Sequence, residues 1–548
     1  MKKNISVLSL LLAALLFAQM ATAQVSHGGA PVFNHAKSDV KNVILAPIDN
    51  QKYLQEDMDL VKDGSPMRIG VVQPARLSNL TDGSKTTLGD GSVVWRASVT
   101  SPNATFMSLT FGTFNIPEGA ELYLYDQSGD FIIGRFVRQD AKEDGSFYTQ
   151  AIPGSTVYIE YREPAAVAGQ GVLELTDVCH GYKNLFADNL DDKGYIGDAD
   201  GDCHVNVKCH AGDDWRDEIR SVVAYTMVAG GYSYICSGAL VNNTNLDRKP
   251  YVLSAHHCQD NGTVTQWCFY FLYNTTTCSG TNGPHNKTVT GATIRSKNGA
   301  QVSNGSDFLL VELAQAIPDT YTPYYAGWER DNSVNAGRGV GIHHPGGDFK
   351  KISFAKKMTR QSGSYLGFYK TEWYVSNDTT GVTEQGSSGS PIFNENHRIV
   401  GQLYAGSSAC DYTSGADYYG RVYTSWTGGG SNASRLSNWL DPAGQDPQYL
   451  DGLDYKDPEV GIDGPDSEAA RLSVYPNPSK GMVFINIDAI GMASFNVYDL
   501  SGRCVQQGRT VLTSTAQGVN LSQLPAGSYT LQLSVDGRSY SAPVIIVK

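Results

Sequence analysis

The sequence contains a serine turn, Gln385-Gly386-Ser387-Ser388-Gly389-Ser390-Pro391, followed directly by the apolar pair Ile392-Phe393. A serine between glycines on a tight turn exposes its hydroxyl and leaves the neighbouring backbone N–H groups uncovered. Such a turn suits a nucleophile, because the oxyanion formed by its attack needs N–H donors nearby. Glycine and serine also make plain loops between strands, so this interpretation needs partner residues elsewhere in the chain.

Two upstream segments supply candidate partners. Tyr251-Val-Leu-Ser-Ala-His-His-Cys258 is a strand-like apolar run that ends in two histidines. Ser306-Asp307-Phe-Leu-Leu-Val-Glu-Leu313 places an aspartate before another such run. The order histidine, aspartate, serine is that of the chymotrypsin architecture and differs from the orders in subtilisin and the α/β-hydrolases. The pattern therefore predicts a catalytic triad on a chymotrypsin-like fold.

Six segments of the chain form a specific combination: Leu240-Val-Asn-Asn-Thr244, Ser254-Ala-His-His-Cys258, Ile342-His-His-Pro345, the Gly386–Pro391 turn, Gly420-Arg-Val-Tyr-Thr-Ser-Trp-Thr-Gly-Gly-Gly430 and Ser437-Asn-Trp-Leu-Asp-Pro442. Together they resemble the bacterial lysyl endopeptidase family, which consists of secreted, chymotrypsin-fold serine proteases that cut after lysine. The resemblance covers roughly residues 198–454.

The resemblance implies a role for each member of the triad. Ser388 would be the nucleophile, and it needs a general base because its hydroxyl ionises far above neutral pH. The family's base immediately precedes the cysteine, which makes it His257 and leaves His256 as a strand residue. Asp307 would hold His257 in the correct tautomer and stabilise its imidazolium form. The backbone N–H groups of Gly386 and Ser388 would form the oxyanion hole.

Substrate specificity needs another acid. Trypsin-like enzymes carry an aspartate six residues before the serine, but that position is Val382 here, and Glu384 is interpreted as structural. The family takes its lysine-binding acid from the segment before Gly-Arg-Val, which makes Asp417 the implied anchor. The implied pocket strand contains Tyr404, Ala405 and Gly406. Tyr404 and Ala405 replace a histidine and a glycine of a lysyl enzyme, and residues 361–372 lack an expected tryptophan.

Composition limits the other possibilities. The chain has 548 residues, enough for three or four domains, and its 18% charged and 41% hydrophobic residues are ordinary for a folded protein. A net charge of −13 argues against nucleic acid as a partner. His343 and His344 lack the spacing of a metal site and are predicted to be buried structural residues. We expect no cofactor or metal, protein or peptide substrates, and a monomer.

Residues 1–23 have the pattern of a secretory signal peptide: Lys2 and Lys3, an apolar run over residues 5–17, and Ala21-Thr22-Ala23 before the cleavage point. The alternative is a membrane anchor, but the apolar run is too short to span a bilayer.

Export makes disulfide bonds possible among the nine cysteines. Six of them lie where lysyl endopeptidases have cysteines, and the sequence alone would allow fifteen connectivities for six cysteines. The resemblance implies the pairs Cys203–Cys410, Cys209–Cys278 and Cys236–Cys258. Cys179, Cys268 and Cys504 are left over, and the apolar neighbours of Cys268 predict a buried side chain.

The remaining regions predict an all-β chain of several parts. Residues 24–193 contain short strand-like runs typical of a β-sandwich and occupy the place of a propeptide, although an independent binding module is the alternative. Residues 194–454 would form the two β-barrels of the protease, and residues 455–471 are a polar linker. A lysine-specific enzyme could release itself by cutting after Lys193.

Four strand-and-turn segments follow the linker: Leu472-Ser-Val-Tyr-Pro-Asn-Pro478, Ser494-Phe-Asn-Val-Tyr-Asp-Leu-Ser-Gly-Arg503, Gly518-Val-Asn-Leu-Ser-Gln-Leu-Pro-Ala-Gly-Ser-Tyr529 and Val544-Ile-Ile-Val-Lys548. With them, residues 472–548 resemble the C-terminal sorting domain of the type IX secretion system, a small β-sandwich that directs passage across the outer membrane. The resemblance implies the type IX machinery as a partner and a secreted or cell-surface location reached through the periplasm. A retained β module for adhesion is the alternative.

The combined prediction is a secreted serine endopeptidase that cuts after lysine. The alternatives are a protease with broader basic or other specificity, and a catalytically inactive protease fold that serves as a surface adhesin.

Overall fold

The computed structural model describes residues 28–33, 40–60, 66–142, 144–183, 185–186, 203–259, 262–302, 305–333, 336–374, 381–456, 472–486, 491–499, 502–512, 517–535 and 538–548. The predicted signal peptide, the predicted cleavage point after Lys193 and nearly all of the predicted linker lie outside these residues. The chain divides into two compact units, Met1–Tyr455 and Lys456–Lys548. In the part of the chain that the structure describes, no helix is both long and apolar enough to cross a membrane.

The N-terminal part of the first unit consists of strands and one helix, α1 (Asn50–Leu60). The strands are β1 (Asn42–Ile44), β2 (Met67–Ser78), β3 (Ser84–Thr87), β4 (Val93–Thr100), β5 (Phe106–Asn115), β6 (Glu121–Tyr125), β7 (Ile132–Phe136), β8 (Phe147–Tyr148), β9 (Ile152–Pro153), β10 (Thr156–Glu163) and β11 (Val172–Gly181).

These strands form two layers that share one apolar core. One layer has the order β1-β4-β10-β6-β7 with β3 beside β4, and the other contains β2-β11-β5 with β8 and β9 beside β5. In β11, buried Leu173 and Leu175 alternate with exposed Glu174 and Thr176, the two-residue period of a strand with one face in a core. Trp95 from the first layer and Leu109 from the second lie in the same core. This is the β-sandwich that the sequence predicts.

The rest of the first unit contains helices α2 (Arg216–Ser221), α3 (Val422–Thr427) and α4 (Ser437–Leu440). Its strands are β12 (Val205–Asn206), β13 (Val222–Ala229), β14 (Tyr232–Leu240), β15 (Tyr251–Ala255), β16 (Cys268–Tyr270), β17 (Thr288–Thr290), β18 (Ala292–Asn298), β19 (Phe308–Leu313), β20 (Tyr324–Tyr325), β21 (Gly327–Glu329), β22 (Gly339–His343), β23 (Lys351–Arg360), β24 (Phe368–Trp373), β25 (Pro391–Asn394), β26 (Arg398–Gly406), β27 (Asp417–Arg421), β28 (Tyr449–Leu450) and β29 (Leu453–Asp454).

Most of these strands belong to two barrel-like sheets. In the first, the order is β17-β16-β13-β14-β15-β19-β18, around a core that includes Tyr225, Val252 and Leu309. In the second, the order is β25-β22-β23-β24-β27-β26, and β26 pairs back with β25 to close the ring. Met358 and Ile392 lie in a core of this second barrel. The prediction of an all-β, chymotrypsin-like double barrel is confirmed.

The first barrel shares its sheet with the N-terminal sandwich. β13 pairs with one edge of β14 along nearly its whole length. On the other edge, the last residues of β14 pair with β15 and its first residues pair with β2, so that Tyr232 faces Val71 and Ile235 faces Met67. The contact is reinforced by Lys142, a buried side chain whose ammonium donates to the Thr290 carbonyl at 2.6 Å. One layer of the sandwich and the first barrel therefore form one continuous twelve-stranded sheet.

The second unit is a small sandwich of strands β30 (Ser473–Tyr475), β31 (Met482–Asn486), β32 (Gly491–Asp499), β33 (Cys504–Leu512), β34 (Gln517–Asn520), β35 (Gly527–Val535) and β36 (Arg538–Ile546). Its sheets, β30-β31-β34 and β33-β32-β35-β36, enclose an apolar core that includes Val483, Val497 and Leu531. The predicted C-terminal β-sandwich is confirmed.

Three disulfide bonds join Cys203 to Cys410, Cys209 to Cys278 and Cys236 to Cys258, the pairs that the resemblance implies. Of the remaining cysteines, Cys179 and Cys268 are buried thiols and Cys504 is exposed. Burial raises the pKa of Cys268 to about 11, so its thiol stays neutral.

Candidate active site

The pairing of β15 with β19 brings His257 to Asp307. Ala255 at the end of β15 faces Phe308 at the start of β19, so the turn His256–Cys258 starts beside the residue that precedes β19. The Nδ1 atom of His257 lies 2.6 Å from Oδ2 of Asp307, and the backbone N–H of His257 donates to Oδ1 at 3.1 Å. Asp307 is buried and has a positive φ of 55°, a conformation that aspartate tolerates better than most residues. This arrangement fixes the imidazole and its Nδ1–H tautomer.

His256, the other histidine of this turn, has a different environment. Its ring lies beside Gly299, and its backbone N–H donates to the Asp307 carbonyl at 2.7 Å. Burial lowers the pKa of His256. His256 was predicted as a strand residue, but it lies in the turn directly after β15.

The Ser388 turn is anchored to the first barrel next to His257. The Ser388 carbonyl accepts the Ser237 N–H at 2.8 Å. Gly389 is so close to Ser254 and Ala255 that a side chain at this position would collide with both residues. His257 Nε2 is buried and has no hydrogen-bond partner among the described residues. The structure thus brings the serine turn from the second barrel to the histidine turn of the first and leaves Nε2 available to accept a proton.

The serine turn offers two backbone N–H donors close to the Ser388 side chain. In the described part of the chain, the N–H groups of Gly386 and Ser388 have no hydrogen-bond acceptor. Gly386 has a φ of +89°, which favours glycine, and its carbonyl accepts the Ser237 hydroxyl at 2.8 Å. The carbonyls of the two donor peptide groups, Gln385 and Ser387, accept the Gly346 N–H at 2.6 Å and the Ser390 N–H at 2.9 Å. Both peptide groups are therefore held in place while their N–H groups remain free to donate to a bound oxyanion.

Asp417 begins β27 and is completely buried among donors. Its Oδ2 atom accepts hydrogen bonds from Trp373 Nε1 at 2.6 Å, Thr383 Oγ1 at 2.7 Å and Ser408 Oγ at 2.6 Å. The Ser408 backbone N–H reaches Oδ1 at 3.2 Å. Burial raises the pKa of Asp417 against the opposing effect of these hydrogen bonds. A buried carboxylate of this kind binds a cation strongly, because leaving either charge unpaired is costly.

Sequence reasoning missed the donors around Asp417. Residues 361–372 contain no tryptophan, but Trp373 follows immediately and donates directly to Asp417. A tryptophan that ends a strand, with its N–H needing a buried acceptor, was the available signal. Thr383 and Ser408 lie in separate loops, and nothing local in the sequence connects them to Asp417.

The end of β26 connects His257 to Asp417. The Tyr404 ring lies 6.0 Å from the His257 ring and 4.9 Å from the Phe368 ring, measured between centroids. Ala405 pairs with Tyr418, the residue after Asp417. Gly406 lies against the Asp417 carboxylate, so a side chain at this position would overlap Oδ1. Tyr404, Ala405 and Gly406 thus extend from the histidine to the acid, and Phe368 supports this strand end.

The other acidic candidate, Glu384, has structural contacts. Its Oε1 atom accepts the Cys410 N–H at 3.3 Å, and its Oε2 atom lies 3.4 Å from His204 Nε2. Both contacts lie beside the Cys203–Cys410 disulfide. Val382, at the position of the trypsin-like acid, is buried and apolar. Cys203, His204 and Cys410 have potential metal-ligating atoms close together, but the disulfide removes the thiolates that would bind a metal.

Comparisons with known proteins match two regions. Residues 196–420 match the family model "Lysyl endopeptidase, C-terminal domain", and residues 473–548 match the "Secretion system C-terminal sorting domain". A curated lysyl endopeptidase from Pseudomonas aeruginosa is 32% identical over 291 residues, which are 50% of this chain and 59% of the relative. The chain thus spans less than two thirds of the length of that relative.

Solved structures with similarity to the chain include two proteases. A thermostable serine protease AL20 from an extremophilic microorganism has 15% identity and a TM-score of 0.27, and the match covers 37% of this chain and 92% of that one. A Glu endopeptidase in complex with MPD has 19% identity and a TM-score of 0.26, and the match covers 37% of this chain and 85% of that one.

A C-terminal sorting domain marks a protein for secretion or for the cell surface, and this one follows a double-barrel domain with a histidine–aspartate pair beside a serine turn. Residues 196–420 are thus similar to the C-terminal domain of lysyl endopeptidases, and residues 473–548 are similar to a secretion system sorting domain.

Proposed function

We propose that this chain is a serine endopeptidase that hydrolyses peptide bonds on the carboxyl side of lysine through an acyl-enzyme. The observation that carries the proposal is the Asp307–His257 pair with its unpaired Nε2, together with the packing of Gly389, next to Ser388, against Ala255 near this histidine. A pair of this kind needs only a neighbouring hydroxyl to complete a triad. The family matches support the same reaction class.

In the proposed mechanism, Ser388 attacks the scissile carbonyl while His257 Nε2 accepts its proton. Asp307 stabilises the imidazolium that forms, and His257 then gives the proton to the leaving amine. The N–H groups of Gly386 and Ser388 donate to the oxyanion, and each such donor contributes about 3–4 kcal/mol to the transition state. Water then attacks the acyl-enzyme while His257 accepts its proton, and His257 returns a proton to Ser388 as the acid product leaves.

Preference for lysine follows from the surroundings of Asp417. An ammonium group has a compact charge with three donors, whereas a guanidinium presents five donors in a wide planar fork. Beside the carboxylate, the hydroxyls of Thr383 and Ser408 can turn their lone pairs toward a bound ammonium. Together these oxygens provide the three acceptors that a lysine side chain needs. A wider preference that includes arginine is the alternative within the same reaction class.

The experiment that tests the proposal is Ser388→Ala. The variant should fold, lose peptidase activity and lose labelling by serine-directed phosphonates, because the nucleophile is gone. Sequencing the peptides that the wild-type protein releases from one denatured substrate protein should give lysine at the new carboxyl ends. Wild-type protein that neither cleaves nor labels would favour the adhesin alternative, and cleavage after arginine as well would favour the broader specificity.

We also propose that residues 1–23 direct export, that residues 24–193 are a propeptide, and that the sorting domain is the substrate of the type IX machinery. The sorting-domain match supports the last step. Deleting residues 472–548 should leave the protein in the periplasm of a host with type IX secretion, as measured by fractionation. A truncated protein that reaches the medium normally would contradict this route.

A further inference from the structure

A ring of hydrogen bonds begins and ends on the segment that leads to Ser388. The Glu384 N–H donates to Ser387 Oγ at 3.2 Å, and Ser387 Oγ lies 2.7 Å from His343 Nδ1. On the other side of the imidazole, His343 Nε2 lies 2.9 Å from Ser353 Oγ, which donates to the Val382 carbonyl at 3.4 Å. Because Val382 and Glu384 are two residues apart, the ring returns to its starting segment.

The hydrogen-bond partners of His343 determine which of its ring nitrogens carries the proton. Ser353 has a single O–H, which it donates to Val382, so its oxygen must accept from His343 Nε2–H. Nδ1 is then the acceptor for the Ser387 hydroxyl. His343 is completely buried, and burial lowers its pKa well below its ordinary value. The charged or titratable groups that act on it are His204, His344 and Lys351, and all three disfavour its protonation.

Ser387 lies between Gly386 and Ser388, whose N–H groups would donate hydrogen bonds to the oxyanion. In relatives of chymotrypsin an aspartate occupies this position, and it pairs with the ammonium of a newly cut N-terminus. A serine cannot form that ion pair. We infer that His343 is a positioning residue that holds the oxyanion hole through Ser387 and replaces the ion pair with a neutral chain of hydrogen bonds. The inference rests on the proposed protease function.

Neighbouring contacts hold the same loop from its other side. The Gly386 carbonyl accepts the Ser237 hydroxyl at 2.8 Å, and Ser237 Oγ accepts the His344 N–H at 3.1 Å. The Gly346 N–H donates to the Gln385 carbonyl at 2.6 Å. The segment that carries His343 therefore bonds directly to residues 385 and 387 of the serine turn, and it bonds to residue 386 through the Ser237 hydroxyl. All these bonds lie inside residues 237–387, so the geometry of the hole does not depend on a new N-terminus.

The test compares two substitutions of His343 in the full-length protein. His343→Leu removes both hydrogen bonds, whereas His343→Asn keeps an acceptor where Nδ1 lies. His343→Leu should lower kcat for a lysyl peptide by roughly 10- to 100-fold, because misplaced donors stabilise the transition state less. KM should change by less than about threefold, since the loss belongs to the transition state. His343→Asn should recover most of kcat.

Tyr321→Leu is the matched control. It also removes a buried ring and one hydrogen bond, which the Tyr321 hydroxyl donates to the Thr288 carbonyl, but this residue lies away from the serine turn. It should lower the melting temperature and leave kcat unchanged. If His343→Leu fails to fold, Ser387→Ala decides the question, with Ser221→Ala as the control that deletes another buried hydroxyl.

Folded His343→Leu or Ser387→Ala protein with wild-type kcat, or with a loss confined to KM, would overturn the inference. Failure of the proposed function is a distinct result, because the wild-type protein itself would then cleave no peptide.

Discussion

Asp417 shows how a single side chain can depend on the whole second barrel. Its three side-chain donors come from β24 and from two loops, and together they enclose the carboxylate completely. The hydrogen bonds favour the ionised form and burial opposes it, with burial the larger effect, so the pKa of Asp417 is raised.

Replacing Asp417 by asparagine tests this residue. Asp417→Asn keeps the size and removes the charge, so kcat/KM for lysyl peptides should fall by about 10²-fold or more, because a buried ammonium then lacks its counter-charge. An ester substrate with a small uncharged side chain is the control and should lose far less. Unchanged lysine preference would move the anchor elsewhere, with Glu384 the next candidate.

The same carboxylate sets a pH dependence. Since its pKa is raised, Asp417 loses its charge as the pH falls through a range above that of an ordinary aspartate. The KM for lysyl peptides should therefore rise on acidification while the KM for the uncharged ester stays flat. Parallel behaviour of the two substrates would place the titration in another group.

At this scale the sequence predicted the residues that carry a recognisable pattern. His257, Asp307 and Ser388 could be proposed as a triad because their order and their neighbours are informative. Trp373 and Thr383 were not, because a donor to a buried acid has no local signature. His343 was predicted to be a buried structural histidine, and only its two hydrogen bonds reveal the connection to Ser387.

Among the elements, the antiparallel pair β14 and β15 should affect the proposed catalysis most directly. The Cys236–Cys258 disulfide ties β14 to the turn that carries His257. The Cys209–Cys278 disulfide joins two segments away from that turn and closes a longer stretch, with a sequence separation of 69 residues against 22.

Removing the longer-range disulfide should cost more stability, whereas removing the disulfide beside His257 should cost more activity. In the chain-entropy model, removing a bond costs about 3 kcal/mol for the shorter loop and about 4 kcal/mol for the longer one. Replacing Cys236 and Cys258 by alanine should nevertheless reduce kcat more than replacing Cys209 and Cys278, because it frees the His257 turn. Urea unfolding gives the first quantity and peptide hydrolysis the second. Equal losses of kcat would show that the disulfide near His257 has no special role.

Strand positions were predictable where apolar residues alternate, but strand partners were not. Nothing in β25 or β26 indicates that they pair and close the second barrel, and nothing in β2 indicates that it joins β14. Such pairings join residues far apart in the chain, and their selection depends on complementary faces that a single sequence does not display.

For the whole molecule, the shared twelve-stranded sheet is the feature with the widest consequences. β2 covers the first half of β14, and a small apolar cluster spans the junction. Met67 and Leu185 from the N-terminal part pack there with Ile235 and Tyr273 from the barrel. Without the sandwich, this half of β14 would become an open sheet edge beside exposed apolar side chains, which favours aggregation.

We therefore expect the N-terminal sandwich to assist folding of the barrels. A chain that lacks residues 24–193 should give less soluble, active protein than the full-length chain, because the Tyr232–Ile235 edge is unprotected while the barrels form. The control is full-length Ser388→Ala, which keeps the sandwich and should remain soluble although inactive. The measurements are soluble yield after refolding and, for the truncated chain, hydrolysis per mole of phosphonate-labelled protein. Full yield and full activity without residues 24–193 would mean that the barrels fold unaided, and the shared sheet would then be a contact made after folding rather than a template for it.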